Sequence, residues 1–130
     1  MKNSRLRSLF NDVLRAGLMA AIAVTLVLAT RVAFAHAVLV LSSPVANATV
    51  SGPDLPITMK FNSRIDPSRS ALRLSLPDGQ SKPLTIDPAT APDTLTAKAS
   101  GLTPGKYAIQ WQVLAVDGHI TRGQIPFLVK

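Results

Sequence analysis

The stretch GLTPGKYAIQWQVLAVDGHITRGQIPFLV, residues 101–129, decides the fold. Tyr107, Ile109, Trp111 and Val113 share one face of an extended chain, while Lys106, Ala108, Gln110 and Gln112 take the other. That period of two is the mark of a half-buried strand. Ile125, Phe127 and Val129 repeat it at the end of the chain, and Gly101 to Gly105 read as the loop that precedes it.

Upstream the same grammar recurs. Ile57, Met59 and Phe61 alternate with Thr58, Lys60 and Asn62, and Thr94 to Lys98 alternates again. Ala37 to Leu41 forms a short apolar run stopped by Ser42-Ser43-Pro44. Leu72, Leu74 and Leu76 lead into Pro77-Asp78-Gly79, whose turn chemistry predicts a hairpin continuing through Leu84 and Ile86. A sustained helical period is absent beyond residue 35. The expectation is an all-β, immunoglobulin-like Greek-key β-sandwich of about seven strands. Pro53, Pro56, Pro83 and Pro126 suit edges and bulges, because proline has no N–H to give a central ladder.

The 130 residues hold 14 Lys and Arg, 7 Asp and Glu, and no cysteine. Disulfides, thiolate metal sites and cysteine nucleophiles are thereby excluded. The net charge of +7 is uneven: Lys2, Arg5, Arg7, Arg15 and Arg31 stand against Asp12 alone in residues 1–35, leaving +3 for residues 36–130. So mild a charge gives no footprint for nucleic acid. Arg64, Arg69 and Arg73 read as a solvated edge, and Asn47-Ala48-Thr49 as a chance match to a glycosylation sequon.

Lys2 to Arg15 form a basic region, Ala16 to Thr30 an apolar run, and Ala33-Phe34-Ala35 a small-x-small cleavage signal. This is the three-part pattern of a secretory signal peptide over residues 1–35. The apolar run falls short of the roughly 20 residues that cross a bilayer, so the mature form, residues 36–130, is expected not to span the membrane. Cleavage after Ala35 makes His36 the new N-terminus.

The sequence has two histidines, His36 and His119. A free N-terminal histidine offers its α-amine and its Nδ1 to one metal, and donors already linked lose little entropy on binding. In Asp117-Gly118-His119, residues two apart point to the same side of an extended chain, and Gly118 lets the backbone bend between them. The strand carrying Trp111 is expected to end or bulge near Leu114 to Val116, since an unpaired Asp117 carboxylate carried inward would be costly. The candidate metal ligands are therefore His36, Asp117 and His119, a set of three nitrogens and one oxygen. Such donors without sulfur favour Cu(II), and Met59 is the sole sulfur beyond residue 35. Against this stands an ordinary reading, in which Asp117-Gly118 is a turn dipeptide and His36 merely follows the cleavage point.

At these residues the sequence resembles the periplasmic copper-resistance CopC family. The matching features are His36-Ala37-Val38-Leu39 with Ser43-Pro44, the Phe61 strand, Leu102-Thr103-Pro104-Gly105-Lys106-Tyr107, Trp111, Asp117-Gly118-His119, Gly123 and Phe127-Leu128-Val129. The resemblance implies Cu(II) binding by His36, Asp117 and His119 in the periplasm, for buffering, sequestration or delivery rather than catalysis. It also implies a CopD-like inner-membrane copper protein as partner, and a monomer is expected. Two positions depart from the pattern: Ile120 stands where members often have Pro, and Ser63 where they often have an acidic residue. Two other readings compete. One is a metal-free secreted immunoglobulin-like interaction module; the other is a copper oxygenase built on a histidine brace, which the small scaffold and the occupying Asp117 carboxylate disfavour.

Overall fold

The computed structural model describes residues 2–29, 36–88 and 91–130. The chain divides into two units, residues 1–33 and 34–130. The first holds one helix, α1 (Lys2–Ala29). It is rich in Ala and Leu, which lose little freedom in a helix, and it leaves Leu9, Phe10, Val13, Leu14 and Met19 exposed. Among the described residues no helix is long and apolar enough to cross a membrane. The expected cleavage signal Ala33-Phe34-Ala35 lies outside the described residues.

The second unit contains eight strands: β1 (Leu39–Ser43), β2 (Ala48–Val50), β3 (Leu55–Phe61), β4 (Ile65–Ser75), β5 (Ser81–Leu84), β6 (Thr94–Ala99), β7 (Gly105–Ala115) and β8 (Ile120–Val129). They form a three-stranded sheet, β1-β3-β6, and a five-stranded sheet, β2-β8-β7-β4-β5. Only β4–β5 and β7–β8 follow one another within a single sheet; at every other connection, from β1–β2 to β6–β7, the chain crosses to the opposite sheet. This is the immunoglobulin-like Greek-key sandwich that the alternating pattern predicts.

The alternation is what fills the space between the sheets. Leu55, Ile57, Met59 and Phe61 of β3 are buried, as are Tyr107, Ile109, Val113 and Ala115 of β7 and Ile125, Phe127 and Val129 of β8. Leu72 and Leu74 of β4 and Leu95, Ala97 and Ala99 of β6 complete the core. Burying each large side chain contributes about 1.5–3 kcal/mol. Trp111 packs edge-on against Phe61 at 5.4 Å between ring centroids, joining the two sheets. Its indole lies over Gly123, its cross-strand neighbour, where a Cβ would stand 2.5 Å from the ring. Only glycine leaves that room.

The loop before β7 is fixed by Tyr107, whose hydroxyl donates to the Thr103 carbonyl at 3.0 Å and accepts from the Thr103 N–H at 3.1 Å. Such a tyrosine corner recurs at this turn of the fold. The prolines fall where a ladder can spare a donor. Pro83 lies on edge strand β5, and Pro56 pairs with β6 beyond the reach of β1, which stops opposite Thr58. Pro126 turns its carbonyl, and hence its missing N–H, away from β7 toward Asn47, which donates to that carbonyl at 2.6 Å.

Three expectations need correction. The first strand begins at Leu39 rather than Ala37, because Ala37 is drawn fully into the core ahead of the ladder. Ile86 does not prolong the hairpin: β5 ends at Leu84 and the chain crosses over, so that Ile86 bridges Ala97 of the opposite sheet. An eighth element also exists, β2, three residues paired in parallel with the end of β8.

Candidate metal centre

Three segments meet at one end of the sandwich: the arm His36–Val38, the β3–β4 connection Asn62–Arg64, and the β7–β8 connection Val116–His119. Strand β7 stops at Ala115, and the chain turns through Val116 to Gly118 before β8 opens at Ile120. The Gly118 N–H donates to the Ala115 carbonyl at 2.9 Å, and the Ala115 N–H to the His119 carbonyl at 2.8 Å, closing the loop. Gly118 sits at φ +90°, a conformation that a side chain would strain. The strand thus ends before its inward-facing phase reaches Asp117, and both Asp117 and His119 emerge exposed.

Asp117 grips His119 twice. One carboxylate oxygen accepts the His119 backbone N–H at 3.1 Å, and the other lies 3.3 Å from His119 Nδ1. His36, far away in sequence, places its ring 5.1 Å from that of His119, tilted by 35°. The two histidines of the sequence are therefore neighbours, with the Asp117 carboxylate held against His119. The Asp117 carboxyl is held below the usual carboxylate range. The His119 N–H is the main cause, partial desolvation opposes it, and the His119 side chain and then the positive field of His36 add to the lowering.

As they stand, no three His, Asp or Glu side chains among the described residues converge closely enough to hold a metal ion. The fourth donor of the predicted set is no side chain but an α-amine, and in the full chain that nitrogen is tied up in the peptide bond to residue 35. Both Asp117 oxygens meanwhile face His119.

The surroundings refine the sequence reading. Ser63, at the position where an acidic residue is common in the resembling family, buries its hydroxyl without any hydrogen-bond partner, and so supports neither imidazole. Trp111 Nε1 and Thr121 Oγ1 are likewise buried and unpartnered. Arg69 lies 3.7 Å from Asp66, and Arg73 donates to Ser81 Oγ and O, while the Arg64 side chain is exposed. What Arg64 contributes is its carbonyl, which accepts the Val116 N–H at 3.2 Å. Sequence reasoning passed over Asn62, which holds the arm: its Oδ1 accepts the Val38 N–H at 2.8 Å and its own N–H donates to the Val38 carbonyl at 3.0 Å. The only signal for it was a polar residue directly after a strand.

Comparison with known proteins fits this architecture. Residues 39–130 match the sequence model of the CopC domain, which begins just after the His36 arm. Over 111 residues the chain is 36% identical to copper resistance protein C of Xanthomonas campestris pv. juglandis, spanning 79% of this chain and 87% of that protein. Over 106 residues it is 32% identical to protein YobA of Escherichia coli strain K12, spanning 79% of this chain and 86% of that protein. Among solved structures, CopC from Methylosinus trichosporium OB3b superposes with a TM-score of 0.66 at 29% identity, covering 73% of this chain and 94% of that one. PcoC, a methionine-rich copper resistance protein from Escherichia coli, shares the fold with a TM-score of 0.62 at 24% identity, over 73% of this chain and 99% of that one. The chain belongs to the CopC family.

Proposed function

We propose that this protein binds Cu(II) as cargo, through the His36 amine and Nδ1, one ring nitrogen of His119, and an Asp117 oxygen, and serves copper homeostasis or resistance in the periplasm. The observation that carries the reading is the meeting of the two histidine rings at 5.1 Å beside Asp117, although they stand 83 positions apart in sequence. Membership of a family that includes a copper resistance protein supports the choice of metal. So does the donor set, since nitrogen and oxygen ligation suits Cu(II). Met59, the one methionine beyond residue 35, is fully buried and offers no surface thioether for Cu(I).

Residues 1–35 act in this account as a signal peptide, and residues 36–130 as the copper-binding domain. Removal of the signal frees the His36 nitrogen and so creates the chelate. Before copper arrives, Asp117 holds the His119 ring in place by a long, half-exposed contact at 3.3 Å. A contact of that kind is weak in water, so the carboxylate turns to the metal at little cost. The site lies open at the end of the sandwich, and copper enters and leaves without the core opening. Binding, not catalysis, is the role. The protein works as a monomer, and a CopD-like inner-membrane protein is its partner on the strength of the family resemblance.

The test is a titration of the purified exported protein with Cu(II), followed by d–d absorbance. Saturation at one equivalent supports the reading, and no absorbance change at one equivalent defeats it.

A further inference from the structure

We propose that Asn62 is a positioning residue for the metal site: it sets the His36 arm against the Asp117/His119 loop. The inference rests on the copper-site reading above and adds a residue that belongs to no ligand set.

The arm has few attachments. Ala37 is buried, but His36 and Val38 are exposed, and the β1–β3 ladder starts only at Leu39 opposite Phe61, with its register slipping before Leu41. The last fixed backbone before His36 is therefore Val38, and one residue holds both of its polar groups. Asn62 Oδ1 accepts the Val38 N–H at 2.8 Å, and the Asn62 N–H donates to the Val38 carbonyl at 3.0 Å. From Val38 back to His36 the chain spans roughly 7 Å, so a fixed Val38 keeps the His36 ring within reach of His119.

The same short connection holds the other half of the site. Arg64, two residues on, accepts the Val116 N–H at 3.2 Å through its carbonyl. The segment Asn62–Arg64 is thus a bracket with the chelating arm on one side and the Asp117/His119 loop on the other. Asparagine suits the place: its short side chain puts a neutral acceptor close to the backbone, and it adds no charge beside the cation. In Asn62→Ala the Val38 N–H loses its acceptor and turns to water, leaving the arm to the bond between the Asn62 N–H and the Val38 carbonyl and to buried Ala37, so the His36 end samples more positions and each binding event must order it again.

The experiment compares the exported wild-type protein with Asn62→Ala and with Val38→Pro, which removes the donor of the same hydrogen bond. Cu(II) affinity, the electron paramagnetic resonance spectrum of the one-to-one complex and the urea midpoint of the copper-free protein are read for each. The expected result is a loss of affinity of about five- to tenfold in either variant, an altered copper spectrum and an unmoved urea midpoint. The double variant should lose no more than the weaker-binding single, because both act through one bond. In the wild type the Val38 amide should exchange with deuterium much more slowly than an unstructured amide of the same local sequence, a readout that needs no variant. Wild-type affinity and spectrum in Asn62→Ala, an unprotected Val38 amide, or a loss of stability matching the loss of affinity each overturns the inference while leaving the copper site standing. A wild-type protein that binds no Cu(II) overturns both.

Discussion

His119 is held by Asp117 at two points: its backbone N–H donates to one carboxylate oxygen at 3.1 Å, and its Nδ1 lies 3.3 Å from the other. One carboxylate thus shapes the turn and aims the ring. In Asp117→Asn the side-chain oxygen can still accept the backbone N–H, so the turn survives, but the anionic donor is gone. We expect Cu(II) affinity to fall by about tenfold or more, a loss of roughly 1.4 kcal/mol in binding for each factor of ten, with the thermal midpoint of the copper-free protein unchanged. Isothermal titration and a melting curve separate the two effects.

The sign of the pH dependence follows from the same carboxylate. Its pKa in the fold lies below the ordinary 3.8, so its contribution to stability is complete above that value and is lost as pH falls through the depressed one. Acidification from about pH 7 to about pH 5 should therefore leave the copper-free fold untouched through this group. Copper binding should weaken over the same interval, because imidazole and amine donors bind the metal only when deprotonated, so protons compete with it. Urea midpoints and copper titrations at the two pH values check the pair of statements. A fold that loosens together with copper affinity would contradict them.

A single alanine added before His36 should abolish the amine–imidazole chelate while leaving the sandwich intact. The arm is exposed at His36 and the core begins with Ala37, so the added residue meets no packing. Affinity for Cu(II) should drop by about a hundredfold or more, since loss of a pre-linked donor removes its proximity advantage. Competition against a chelator of known strength measures it.

Gly123→Ala tests the packing under the site. Its new Cβ would stand 2.5 Å from the Trp111 ring, with indole Nε1 only 2.9 Å away, so the indole must shift against Phe61. Overpacking of this kind costs about 1–3 kcal/mol. The urea midpoint should fall and the Trp111 fluorescence should change, whereas Gly79→Ala, at a turn with open space around it, should strain the backbone without disturbing Trp111.

How much of this was legible beforehand depends on the range of the interaction. The cores of β3, β7 and β8 could be read directly, because burial on one face writes itself into every second residue. The break of β7 ahead of Asp117 could also be read, since continuing the strand would have carried a carboxylate inward. Strand β2 could not: its three residues, Ala48 to Val50, gain their place only by pairing with Phe127 to Val129, far along the chain. Ile86 misled for a similar reason, as the local alternation with Leu84 is outweighed by its bridge to Ala97. The bond between Val38 and Asn62 spans 24 positions and leaves no pattern in either neighbourhood. At the site, residue types pointed to His36, Asp117 and His119, but the double hold of Asp117 on His119 exists only once the loop is folded.

Electron paramagnetic resonance of the exported protein with one equivalent of Cu(II) probes the donor set itself. The account predicts one axial species with three nitrogen donors, falling to two in His119→Ala and losing the chelate in the alanine-extended form. Spectra that are the same in all three proteins, or that match copper free in buffer, would contradict it.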